Sequence, residues 1–306
     1  MITYGHEKFI AEAINGVLMQ ECDFEVELVI VNDCSPDNTN DVINDILKNH
    51  YRSSWIKYIK HDKNIGMIPN FVFAMGECDG EYVALCEGDD YWNDLLKLQK
   101  QVNFLETNLD YVMSYHDIYV IDEKGTHVRD SIFYNFHKLD YTKEHLINSP
   151  FLIPLTMCFK NVITDFPKEF LKVINGDVFL ISLLGQFGKG KFQADIIPGS
   201  YRVHSGGVSS MISDLEKEYQ KKNTYYQLFC YYYQYKESTS TTYNFFIKHK
   251  NSILRLLQRK LIERQIIASF RLYLELLLTC FKYGFWKESA YITVDYLKLI
   301  KKQFIK

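Results

Sequence analysis

The stretch "VELVIVNDCSPDNTNDVINDILKN", Val26 to Asn49, decides the fold. Its first half is a short apolar run rich in β-branched residues that closes on Asn32-Asp33, as a buried parallel strand does at its carboxyl end. Turn-forming residues follow, and then Val42, Ile43, Ile46 and Leu47 share one helical face. Strand gives way to helix, and the pattern continues on both sides. Upstream, Glu7 to Gln20 carries Ile10, Ala13, Ile14, Val17 and Leu18 at helical spacing. Downstream, "SSWIKYIKH" reads as a strand, "IPNFVFAMG" as a helix with Pro69 in its first turn, and "GEYVALCE" as a strand. Alternating β and α elements imply a parallel sheet with helices on its faces. In open sheets of that kind ligands sit beyond the carboxyl ends of the strands.

Two of those strand ends are acidic, at Asp33 and in "ALCEGDDYWND", where Glu87, Asp89 and Asp90 crowd together. Carboxylates so close repel one another and hold their protons unless a cation is present. Mg2+ and Mn2+, hard ions that prefer oxygen ligands, typically take one or two protein carboxylates and complete their shell with water and phosphate. After the acidic stretch, Asn93 is the expected N-cap of a helix over "DLLKLQKQVNFLET". "YVMSYHDIYVIDEKG" reads as one strand turning at Glu123-Lys124-Gly125. "PLTMCFK" suggests a strand and "GDVFLISLLGQFG" a helix. From about Ile212 the alternation stops and the pattern is helical, with "KESTSTT" (Lys236 to Thr242) as the expected flexible joint.

The chain has 306 residues, enough for a sizeable core plus an appendage. Its seven cysteines are scattered, with no C-x-x-C pair, which argues against a zinc site or a disulfide framework and for a reducing compartment. The start "MITYGHEKF" does not read as a signal peptide, and nowhere do about 18 uncharged apolar residues run together. A net charge of -3 hides an uneven distribution, for residues 211–306 hold 17 Lys and Arg against 8 Asp and Glu. An acidic body therefore carries a basic tail. Nucleic-acid binding is not indicated, since no motif for it is present and the acidic body repels phosphates.

Four stretches in order, "TYGHEKFIAEAINGVLMQ", "ELVIVNDCSPDNTNDVI", "KNIGMIPNFVFAMGECDGEYVALCEGDDYW" and "YRVHSGGVS", resemble the family 2 glycosyltransferases, inverting enzymes of the GT-A fold, and among them the bacterial branch that builds surface polysaccharide. The resemblance covers about residues 1–210. It implies a Rossmann-like mixed central sheet flanked by helices, with residues 211–306 as an α-helical C-terminal extension. It further implies transfer of a sugar from a nucleoside diphosphate, UDP by expectation, to an acceptor hydroxyl on a glycan or lipid-linked acceptor, with Mn2+ or Mg2+ as cofactor.

Carried over residue by residue, Tyr4 would stack on the base and Asp33 would bind base or ribose, with Asn64 and Gly66 in the loop beside the nucleotide. Glu87, Asp89 and Asp90 fall on the D-x-D-type metal and ribose motif, with Asp90 as the direct ligand and Glu87 a departure from the more usual Asp. Asp177, ahead of an apolar helix, is the expected base that deprotonates the acceptor hydroxyl. In "YRVHSGG", His204 would approach the metal or diphosphate, and Arg202 would serve the nucleotide site by holding the segment behind it.

Two positions depart from the family pattern. Gly5 stands where Asn is common, and only Met1-Ile2 precede Thr3-Tyr4 where several apolar residues are usual, so either the start codon is misassigned or part of a central strand is lost. That second departure supports an alternative, a catalytically inactive nucleotide-binding or scaffold relative. A nucleotidyltransferase is a further rival, for which "TYGHEKF" is a poor phosphate loop. The tail, with "SILRLLQRKLIERQIIASFRLYLELLLTCF" and "ESAYITVDYLKLIKKQFIK", reads in two ways. It is either an amphipathic pair lying on an anionic membrane, which would place a cytoplasmic enzyme at its inner face, or a helical hairpin packed on the catalytic domain or on a second subunit.

Overall fold

A computed structural model describes residues 1–207, 212–235 and 239–304. The chain divides into two compact units, Met1–Met211 and Ile212–Lys306. The first is mixed α/β. Strands β1 (Ile2–Thr3), β2 (Leu28–Asn32) and β3 (Ile56–Lys60) form a parallel sheet in that order. Helices α1 (Ile10–Leu18), α2 (Thr39–Asn49) and α3 (Met67–Gly76) connect and cover it.

Every residue of β2 is buried, because the sheet is covered on both faces. Leu28 and Ile30 pack with Ile10, Ile14 and Ile43 on one side, while Val29 and Val31 pack with Ala74 of α3 on the other. Each such fully buried side chain contributes roughly 1.5–3 kcal/mol relative to exposure.

A second, mixed sheet has the order β4 (Tyr82–Ala84), β8 (Cys158–Lys160), β5 (Tyr111–Tyr115), β9 (Lys189–Phe192), and a third the order β10 (Gly199–Arg202), β6 (Ile118–Ile121), β7 (His127–Arg129). The segment Tyr111 to Gly125, expected as one strand, is thus two strands in different sheets. The break falls at Asp117, whose Oδ1 accepts the N–H of Ile118 at 2.8 Å and the hydroxyl of Ser131, while Oδ2 pairs with Lys138. Those bonds turn the backbone where hydropathy alone carries straight through. The turn at Glu123-Lys124-Gly125 is as expected, with Gly125 at φ 81°.

Asn93 does not cap α4 (Lys97–Thr107), which starts later and has Leu96 at its N-cap position. Its amide instead donates to the Pro198 carbonyl and the Ser200 hydroxyl at 2.7 and 3.0 Å, tying the acidic segment to β10. Asp94 serves the helix start, accepting the Leu96 N–H at 2.8 Å. Helices α5 (Lys143–Ile147) and α6 (Gly176–Leu184) complete the unit.

The second unit contains α7 (Asp214–Tyr235), α8 (Thr239–Ile262), α9 (Ile266–Tyr283) and α10 (Trp286–Phe304). Of the expected joint, residues 236–238 lie outside the described residues, and Thr239 onward is already helix because Thr241, Thr242, Phe245 and Phe246 are buried. Among the described residues no helix is long and apolar enough to cross a membrane.

Candidate active site

Three strand ends converge on the acidic segment. Backbone pairing at the end of β4 continues through Leu85, whose N–H donates to the Met157 carbonyl, and buries Cys86, so the chain reaches Glu87 held in place. Gly88 then passes so near β1 that a Cβ there would lie 2.7 Å from both the Thr3 hydroxyl and the His6 ring. Only glycine permits that approach. On the other side, Tyr91 and Ser200 exchange backbone hydrogen bonds, which brings β10 alongside. Helix α1 lies directly on the same segment, since Gly16 offers no Cβ to clash with the Trp92 backbone.

The result is a cluster centred on Asp89. Ligand atoms of Glu87, Asp89 and Asp90 lie within 4.8 Å of one another, and so do those of His6, Asp89 and His204. His204 Nε2 is 3.0 Å from Asp89 Oδ2, and His6 Nε2 is 3.9 Å from the same oxygen. The other nitrogen of His6 bonds the Thr3 hydroxyl at 3.1 Å, fixing the ring so that Nε2 faces the carboxylates. Asp90 is 1% exposed; its Oδ1 accepts the backbone N–H of Arg202 at 2.8 Å, and its Oδ2 has no partner. A buried carboxylate oxygen left in that state costs free energy unless a cation completes it.

The electrostatics agree. Burial, then the neighbouring Asp89 and Asp177, push the Glu87 carboxyl up to about 8. Burial, then Asp89 and Glu87, hold the Asp90 carboxyl well above the usual range. Asp89 goes the other way: burial disfavours its charge, but the His204 hydrogen bond and the two imidazoles outweigh that and lower it. Two triads therefore share Asp89: the carboxylates Glu87, Asp89 and Asp90 are an oxygen set that fits Mn2+ or Mg2+, and His6, Asp89 and His204 are a mixed oxygen and nitrogen set.

Arg202 braces the cluster from behind. Its side chain is buried, with Nε donating to the Asp89 carbonyl, Nη1 to the carbonyls of Asp122 and Glu123, and Nη2 to Glu12. Phe9 stacks beneath the guanidinium, 4.8 Å from its ring centre, and beside His204. The guanidinium is therefore turned into the protein.

Asp177 lies in the first turn of α6 rather than at its N-cap, which is Asn175. Gly176 lets α6 press onto Ile68 of α3, where a Cβ would meet that side chain at 2.8 Å. Asp177 is thereby close enough to Glu87 to raise its proton affinity, and burial raises that of Asp177 itself.

At the neighbouring strand end, Asp33 is buried and accepts the N–H groups of Ile65 and Gly66 at 2.7 and 2.9 Å. Asn64 Oδ1 accepts the same Gly66 N–H at 3.0 Å, and Gly66 adopts φ 92°. Asp33 thus clamps the Asn64–Gly66 loop; the turn into α2 is held by Asn32 and Asp37. Tyr4 follows β1 and is 48% exposed.

Every site residue proposed from the sequence lies in the described part of the first unit, though the last residues of "YRVHSGGVS" lie outside it. His6 was not foreseen. A single histidine early in the chain carries no signal of its own, and only the crossing of β1 by Gly88 brings it to Asp89.

Comparison with known proteins agrees with this architecture. The family model described as "Glycosyl transferase family 2" matches residues 1–163. An uncharacterised protein of Mycobacterium tuberculosis is 39% identical over 132 residues, 43% of this chain and 37% of that protein, so the match spans well under half the relative's length. TuaG of Bacillus subtilis, provisionally named as a teichuronic acid biosynthesis glycosyltransferase, is 30% identical over 103 residues, 34% of this chain and 39% of that one.

Two solved structures share the fold. Residues 1–349 of S. aureus TarS in complex with UDP align with TM-score 0.54 at 17% identity, covering 98% of this chain and 87% of that one. The mannosyltransferase PcManGT of Pyrobaculum calidifontis, in complex with GDP-Man and Mn2+, aligns with TM-score 0.59 at 14% identity, covering 100% and 86%. With its family match running over more than half its length, through both acidic strand ends and β8, the chain belongs to glycosyl transferase family 2.

Proposed function

We propose that the chain is a metal-dependent inverting glycosyltransferase that moves a sugar from a nucleoside diphosphate, UDP as the first expectation, to a hydroxyl of a glycan or lipid-linked acceptor in the synthesis of a cell-surface polymer. The observation that carries this reading is the buried, unpartnered Oδ2 of Asp90 beside Asp89 at the carboxyl end of β4. Family membership supports sugar transfer, and the likeness to TuaG supports a surface polymer.

Each residue then has a role its chemistry suits. Tyr4 offers an exposed ring for the base. Asp33 holds the Asn64–Gly66 loop in the shape that meets base and ribose. Asp90, Asp89, Glu87 and His204, joined by His6, would hold the cation, and Asp89 would also meet the ribose. A bound divalent cation there supplies Lewis-acid neutralisation of charge on the departing diphosphate. Arg202 acts as a positioning residue, keeping the Asp89 carbonyl and Asp90 carboxylate in register.

Asp177 takes the proton from the acceptor hydroxyl as its oxygen attacks the anomeric carbon opposite the leaving nucleotide, which inverts the configuration. Burial raises its proton affinity, which makes its carboxylate a stronger base than an exposed aspartate. The reading places the enzyme in the cytoplasm, where nucleotide sugars are the donors.

Calorimetric titration with UDP, with and without Mn2+, on the wild type and an Asp90→Ala variant tests the reading, with GDP as the comparison. Metal-dependent UDP binding that the variant loses is expected. A folded wild type that binds neither nucleotide with metal present overturns the reading in favour of an inactive relative.

A further inference from the structure

Helix α9 is apolar on two faces. One is buried, through Ser269, Leu272, Leu276, Thr279 and Cys280. It is locked to α10 by the Ser269–Tyr296 hydrogen bond and the stack of Tyr273 on Tyr296 at 4.4 Å. The other face is open. Ile267, Phe270, Leu274, Leu278 and Phe281 are 40–72% exposed. At 3.6 residues per turn they fall within an arc of about 80° along the whole helix. Trp286 and Tyr291, both more than 60% exposed, follow at the turn into α10 and along it. Soluble surfaces seldom leave a continuous apolar stripe of this length to water.

The charge beside the stripe identifies what covers it. Residues 264–304 contain seven Lys and Arg and three Asp and Glu. All seven cations are exposed, among them Arg271, Lys282 and Lys287 near the stripe. Two of the acids are taken up by lysines of other helices, Glu275 by Lys222 and Glu288 by Lys250. Asp295, beside Lys298, is the remaining acid of that segment.

The cores of protein–protein interfaces are depleted in lysine. An apolar stripe edged by cations that form no ion pair among the described residues, with Trp and Tyr at its end, is instead the pattern of a helix lying in the plane of an anionic bilayer. Attraction to anionic headgroups and burial of the stripe in the acyl boundary then act together.

We propose that α9 and the start of α10 form a peripheral docking surface for an anionic lipid bilayer. The stripe enters the headgroup–acyl boundary, and Arg271, Lys282 and Lys287 meet the phosphates. This surface stands independently of the reading of the active site. If both hold, it brings the enzyme to the plane in which a lipid-linked acceptor resides.

Co-sedimentation of the full chain with large unilamellar vesicles tests this, comparing phosphatidylcholine alone with phosphatidylcholine containing phosphatidylglycerol, at low and high salt. Binding to the anionic vesicles only, weakened by salt, is expected. Leu274→Glu with Leu278→Glu should abolish it. Lys282→Glu with Lys287→Glu should weaken it at least about 25-fold, from about fivefold per basic residue lost. Both pairs are exposed, so circular dichroism and the melting temperature should match the wild type. Equal binding to neutral vesicles, or no effect of either pair, overturns the proposal. A soluble wild type whose sedimentation shows a dimer that the Leu274/Leu278 variant dissolves also overturns it, in favour of a second copy of the chain.

Discussion

The backbone N–H of Arg202 donates to one carboxylate oxygen of Asp90, while the other oxygen is buried with no donor of its own, in a cluster with Glu87 and Asp89. Strand β10 therefore fixes one oxygen of the Asp90 carboxylate, and under the proposed function a cation would complete the other. The same residue's guanidinium satisfies the carbonyls of Asp89, Asp122 and Glu123. Arg202→Ala should strip those carbonyls of their donor, destabilising the first unit by about 1–3 kcal/mol, the cost of a buried polar group left unsatisfied, while the solvent-exposed Glu12 loses little. Denaturant unfolding checks this. Arg202→Lys should recover only part of the loss, because an ammonium cannot reach three separated carbonyls as a planar fork does.

His6 offers a nitrogen to the Asp89 side of the cluster, with its other nitrogen bonded to Thr3. His6→Ala should lower Mn2+ affinity by roughly 10- to 100-fold, in the range for lost metal-supporting groups. Mn2+ should suffer more than Mg2+, since imidazole suits the transition metal better. Electron paramagnetic resonance of free Mn2+ measures it without turnover. Unchanged affinity for both ions would remove His6 from the site.

How much of this could be read in the chain depends on where each interaction lies. The βα units and the acidic strand end were legible because they are local: a run such as Leu28–Asn32 must be buried on both faces, and Glu87-Gly-Asp-Asp announces its own repulsion. The break at Asp117 was not, since hydropathy continues through it and the cause is an aspartate bonding its neighbour's N–H and a distant lysine. Asn93 was misread for a related reason. Asn before a helix signals a cap, but its amide finds the Pro198 carbonyl across the fold instead. His6 escaped because its meaning comes only from Gly88 crossing β1.

Glu87 gives the site a pH signature. Its folded carboxyl is raised from 4.5 to about 8, so in metal-free protein it favours folding fully below pH 4.5, and that contribution is lost as pH rises through about 8. Glu87→Gln should leave the metal-free melting temperature unchanged near pH 4.5 and raise it above pH 8. Wild-type protein should also release protons on taking up Mn2+ at pH 7, measured by calorimetry in buffers of differing ionisation enthalpy. No proton release at that pH would mean that Glu87 and Asp90 are already ionised.

Asp33 tests the loop rather than the metal. Asp33→Ala leaves the Ile65 N–H without its acceptor and the Gly66 N–H with Asn64 Oδ1 alone, a loss of about 1–3 kcal/mol. Asp33→Asn keeps one acceptor oxygen and should lose less. UDP affinity should fall in the same order, while Mn2+ binding at the Asp89 cluster is unchanged.

Asp177 separates chemistry from binding. It sits in the first turn of α6, near enough to Glu87 to be felt there and with its own proton affinity raised by burial. If it removes the acceptor proton, Asp177→Asn should lower kcat by about 100- to 10,000-fold, the range for general-base catalysis, with Kd for UDP and Mn2+ little changed. Relief of its repulsion should also bring the Glu87 carboxyl downward, so proton release on metal uptake should diminish in the variant. A variant that loses UDP affinity in step with kcat would make Asp177 a donor-site residue. One that keeps full turnover would leave the proton to another group.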